Sequence, residues 1–158
     1  MQRITAVLLF TLLLLTTHSQ THAQSGGEIF QLVNQFRLNN GLPAFQYNAA
    51  LAAAAQNQAN YMAANMVFSS HVGAGGSTPQ SRANAAGYVG YVVENIVGGT
   101  GMSSSQGLIW WRNSAVHYNT LVTQRYTEAG TAYATNGNEN FFVLVVGRPS
   151  DAPPPRNA

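Results

Sequence analysis

"YVVENIVGG", residues 91–99, decides how the rest of the chain is read. Val92, Val93, Ile96 and Val97 are β-branched and apolar, the composition of a strand buried in a sheet. Gly98 and Gly99 follow, and the pattern predicts that they end the strand in a turn. Inside this run stands Glu94. A carboxylate enclosed by such neighbours loses its water, which is costly unless other polar groups replace the lost hydrogen bonds. The strand must therefore bring partners to Glu94.

Upstream, "GGEIFQLVNQFRLNNG" (26–41) sets Ile29, Leu32, Val33 and Phe36 on one helix face, with Gly41 placed as a C-terminal cap. "LPAFQY" (42–47) cannot continue that helix through Pro43 and reads as a connector. Asn48 is the expected N-cap of a second helix over 49–66, with Leu51, Ala55, Gln58, Met62 and Met66 on a shared face. A glycine-rich loop leads to Thr78 and Pro79, an N-cap and first helical residue, and Gly87 stops that short helix. Downstream, a serine-capped helix presents Leu108, Ile109 and Trp111, and residues 115–126 read as irregular or as a short helix. "TEAGTAYAT" (127–135) and "NFFVLVVG" (140–147) are strands joined by a turn at 136–139. This order predicts an α+β sandwich, helices covering a small, mainly antiparallel sheet.

The ends read differently. Residues 1–23 carry Arg3, an apolar stretch from Ile4 to Leu15 and small residues at Thr21 and Ala23, the pattern of a signal peptide cleaved after Ala23. The stretch is too short to span a bilayer at roughly 20 residues, so no stable membrane anchor is expected after cleavage. The domain is then expected over 24–147, and "RPSDAPPPRNA" (148–158) as a proline-rich tail outside the core. Cleavage removes Arg3 and with it one of the chain's two net positive charges, so a nucleic-acid surface is not expected. The 158 residues contain no cysteine, which rules out disulfides, thiol nucleophiles and thiolate metal sites. They contain no lysine, which rules out lysine Schiff-base chemistry.

Few residues are left for chemistry. His71, Glu94, His117 and Glu128 each adjoin apolar segments, and imidazoles with carboxylates are ordinary ligands of zinc and similar divalent ions. No HExxH-type signature binds them locally, so their spacing alone favours four separate, satisfied polar residues at element ends. Ser70 or Ser114 with a neighbouring histidine would suit a serine hydrolase, but no G-x-S-x-G elbow is present. Trp110 and Trp111 could form a ligand platform or pack in the core.

Taken in order, "LVNQFRLNNGLPAFQYNAALAAAAQNQANYMAANMVFSSH", "GSTPQSRANAAGY", "ENI", "WWRNSAVHYNTLV" and "YTEAGTAY" resemble the CAP superfamily, or SCP domain, over about residues 28–147. That family includes cysteine-rich secretory proteins, venom antigen 5 and plant pathogenesis-related proteins, and the likeness is to its short bacterial branch. The resemblance implies a three-layer α-β-α sandwich whose cleft gathers two histidines and two acids. Matched residue by residue, these are His71, Glu94, His117 and, through the "TE-x-G" segment, Glu128, with Asn95, Ser114 and Asn119 beside the cleft. The chain departs from the family in its missing cysteines, in an extra serine before His71, and in Thr120 where bacterial members often have asparagine.

The resulting expectation is a secreted or periplasmic binding module whose histidine–glutamate cleft takes a divalent metal, with an unidentified extracellular ligand. Two alternatives stand beside it: a metal- or carboxylate-assisted hydrolase acting on peptides or esters, and a lipid- or sterol-binding protein.

Overall fold

Asn48 begins the alanine-rich helix as its position predicts, its side chain accepting from the N–H groups of Ala50 and Leu51. In the structure, a computed structural model describing residues 25–151, this helix (α2) spans Ala49–Asn65. The expected signal peptide and the tail beyond Asp151 lie outside the described residues. Before α2 come α1 (Gly26–Asn39) and a two-residue strand, β1 (Gln46–Tyr47). After it come α3 (Pro79–Ala85), β2 (Gly90–Thr100), α4 (Ser104–Arg112), α5 (Ala115–Val122), β3 (Glu128–Asn136) and β4 (Glu139–Pro149).

The four strands form one sheet in the order β1-β3-β4-β2. β4 pairs antiparallel with both β2 and β3, while β1 adds parallel to β3. The two faces of β4 feed two cores. Phe141, Val143 and Val145 meet α2 and α3; Phe142, Leu144 and Val146 meet α1, α4 and the Leu121 side of α5. The result is the three-layer α-β-α sandwich. Each such apolar side chain contributes roughly 1.5–3 kcal/mol on full burial, and no covalent cross-link assists. The alanines of α2 permit a very close approach: a Cβ at Gly130 would run into the backbone of Leu51 and Ala52.

Several expectations change. The connector 42–47 supplies β1, because Gln46 and Asn48 donate backbone N–H groups to Thr127 and Ala129. Gly98 and Gly99 do not end β2, which runs on to Thr100. Their role is close packing: a Cβ on Gly98 would stand 2.6 Å from the Phe141 ring. Met66 leaves the shared face of α2, since it takes a left-handed conformation and ends the helix. Ile109 points to solvent while Leu108 and Trp111 are buried. Arg148 and Pro149 belong to β4, because β2 begins early enough to give them Tyr91 and Gly90 as partners.

Candidate functional site

β2 is an edge strand, and a cleft of about 720 Å³ opens along its outer side. Seven successive residues, Val92–Gly98, form the floor. Phe68, His71 and the start of α3 make one wall; Trp110 and the Val116, His117 and Thr120 side chains of α5 make the other. Most of this lining is apolar.

Glu94 shares a strand face with Val92 and Ile96 and so points toward α2 and α3. Both of its oxygens are engaged. Oε1 lies 2.9 Å from His71 Nδ1, and Oε2 accepts from Arg82 Nη2 at 2.7 Å. A carboxylate has no proton to give, so Nδ1 of His71 donates, and its Nε2 meets no partner among the described residues. Arg82, buried in α3, also donates Nη1 to the Ser77 carbonyl at 2.9 Å and to the His71 carbonyl at 3.2 Å. Gln58 on α2 holds the Ser70 carbonyl at 2.7 Å. Gly73 leaves the space these groups need, since a Cβ there would lie 2.5 Å from Gln58 Oε1.

The facing wall is tied more lightly. His117 Nδ1 lies 2.8 Å from Ser114 Oγ, and its ring packs 4.9 Å from that of Trp110. Asn95 Nδ2 donates to the His117 carbonyl at 3.0 Å. Burial first, and then the nearby His71, lower the His117 pKa below 6.5, so this imidazole is neutral at pH 7. Arg37 of α1 secures the other end of α5 by donating to the Leu121 and Thr123 carbonyls at 2.7 and 2.8 Å. Its guanidinium sits over the Phe45 ring, and burial pulls its pKa down to about 10.

Four of the residues singled out from sequence therefore surround one region: His71, Glu94, Asn95 and His117. Ser114 stands behind His117. Asn119 is exposed on α5 and does not line the cleft. Glu128 is elsewhere. It begins β3, separated from β2 by β4, and accepts a hydrogen bond from the Tyr88 hydroxyl at 2.9 Å. Burial, and then that carboxylate, raise the Tyr88 pKa well above its ordinary value. Sequence reading did not identify Arg82, the only charged residue between His71 and Glu94. That isolation in a short alanine-rich helix was the available signal.

The donor set is a poor match for zinc. Among the described residues no three of His, Cys, Asp and Glu gather as a cation site. Glu94 has both oxygens committed, which leaves one free nitrogen on each of two imidazoles. Catalytic zinc sites ordinarily use three protein ligands. A serine-hydrolase arrangement is likewise divided: among the described residues His117 has a serine but no carboxylate partner, while His71 has the carboxylate and no hydrogen bond to a serine hydroxyl. Ser70 Oγ is occupied by the Val72 backbone.

A model of the cysteine-rich secretory protein family, CAP, matches residues 30–147. Among solved structures, an extracellular SCP-domain protein from Bacillus anthracis str. Ames is similar at 22% identity and TM-score 0.64, over 77% of this chain and 39% of that one. An outer surface protein from Borrelia burgdorferi is similar at 18% identity and TM-score 0.68, over 78% of this chain and 92% of its own. A cysteine-rich secretory protein from Staphylococcus aureus subsp. aureus Mu50 aligns at 18% identity and TM-score 0.57, over 77% of this chain and 38% of that one. This chain thus spans about two fifths of the Bacillus and Staphylococcus proteins, and at these identities the likeness is one of fold. A search of curated protein sequences finds no match. Among the described residues no helix is long and apolar enough to cross a membrane.

Proposed function

Because this chain belongs to the cysteine-rich secretory protein family, we propose that it is an exported, non-enzymatic binding module whose cleft takes a small, mainly apolar ligand. The observation that carries this reading is the pairing of an apolar cleft of about 720 Å³ with polar groups already committed to one another. That volume is typical of small-molecule sites. Glu94 is held by Arg82 and holds His71, so it orients an imidazole rather than activating water. The free Nε2 of His71 and of His117 serve as hydrogen-bonding groups for a polar end of the ligand. Export is supported by the expected signal peptide and by the extracellular or outer-surface description of two structural neighbours.

The test is a titration with the neutral apolar dye N-phenyl-1-naphthylamine, read by dye and tryptophan fluorescence. Saturable one-to-one binding is expected, weakened at least tenfold in Val116→Arg. Val116 lines the cleft but is 70% exposed, so this variant should fold normally. Non-saturable binding, or binding unchanged in the variant, overturns the proposal.

A further inference from the structure

The floor of the cleft has a second property, carried by its backbone. In β2 the odd residues hydrogen-bond to β4, and the even residues turn their N–H and C=O groups outward. Two contacts fix that parity. Gln80 accepts from Val92 N–H at 3.2 Å and donates to the Gly90 carbonyl at 2.8 Å, and the Trp111 indole donates to the Ile96 carbonyl at 3.0 Å. Between these two side chains, the Val92 carbonyl, both Glu94 groups and the Ile96 N–H meet no hydrogen-bond partner among the described residues. The Glu94 main chain among them is reachable. The Glu94 side chain is 0% exposed, yet the whole residue is 6% exposed, so the accessible part is main chain.

The pattern has a direction. One amide that donates to residue 90 and accepts from residue 92 reproduces a single residue of a parallel neighbouring strand. Gln80 occupies that place, and Trp111 occupies the donor place further along. The gap holds two such residues, the first and third of an extended tripeptide.

Deepening the binding-module reading on which it rests, we propose that this cleft binds a short extended peptide as a fifth, parallel strand on the free edge of β2. The first residue's N–H donates to the Val92 carbonyl and its C=O accepts from Glu94 N–H. The third residue's N–H donates to the Glu94 carbonyl and its C=O accepts from Ile96 N–H. The first and third side chains lie toward Trp110 and His117, and the middle one lies toward Phe68 and His71. A flexible acyl chain offers no such alternation of donors and acceptors, whereas a peptide backbone supplies it at the strand repeat.

The full chain is screened against a random library of pentapeptides blocked at both ends, and enriched sequences are then N-methylated one residue at a time. Methylation at two positions spaced by two should weaken binding at least tenfold, and methylation of the residue between them less than threefold. Amide exchange should show Glu94 and Ile96 unprotected in the free protein and slowed at least tenfold by peptide. Dye binding without any enriched peptide, or a methylation scan without period two, overturns strand addition and leaves the module reading intact. Loss of dye binding as well overturns both. Sedimentation covers the other occupant: a dimer protecting the same two amides without peptide replaces the peptide with a second copy of the chain.

Discussion

The two walls of the cleft are built on different principles. On the α3 side, the buried Glu94 carboxylate and Arg82 guanidinium form a continuous charge-assisted network that extends to the half-exposed His71 ring. On the α5 side, His117 is positioned by a neutral hydroxyl contact, a ring contact and one amide. The first wall has little freedom to adjust without leaving a buried charge uncompensated. The second can shift at small cost, because Arg37 anchors only the far end of α5. Under the proposed strand addition, the fixed wall would set the register of the guest and the yielding wall would accommodate its side chains.

Three measurements test that contrast, in decreasing order of expected effect. Arg82→Ala strands the Glu94 carboxylate in the core and should cost about 3–5 kcal/mol in chemical denaturation; a loss below about 1 kcal/mol would mean the α3 wall is no more rigid than its counterpart. Ser114→Ala should cost less than about 1 kcal/mol, because Ser114, at the N-cap position before α5, makes no side-chain cap and gives its hydroxyl to His117 alone. A larger loss would show that α5 depends on that hydroxyl.

The smallest effect is that of acid. His117 has its folded pKa lowered from 6.5, so below that value the unfolded chain takes up a proton that the folded ring resists. Its contribution to stability is therefore complete above pH 6.5 and declines as pH falls toward the lowered value. Melting curves of wild type and His117→Gln between pH 7.5 and 5.5 should show a steeper acid loss in wild type. Equal slopes would place the titrating group elsewhere.

Local signals in the sequence carried most of the fold. Asn48, Thr78 and Gly41 mark helix ends through side-chain caps and a left-handed glycine, features of a few adjacent residues. Gly98 misleads because its reason is a ring more than forty residues away, at Phe141, rather than its own turn preference. β1 is invisible for a related cause: its two residues are both exposed, and only β3 makes them a strand. In the site, His71, Glu94, His117 and Glu128 all stand out by chemical type, and the resemblance assigns all four to one cleft, a placement that Glu128 does not follow. A strand order that sets β4 between it and Glu94 sends it to Tyr88 instead. Arg82 went unremarked because an arginine on a short alanine-rich helix reads as surface charge until a buried acid is placed opposite it.

The free border of β2 has one more consequence. An eleven-residue strand rich in valine and isoleucine, left bare at a sheet margin, is the kind of segment on which neighbouring molecules stack into fibrils. Here it lies at the bottom of a trough, with an amide side chain blocking one end and an indole the other. The walls on either side narrow the approach to that border, one of the means by which folded proteins guard an exposed sheet margin.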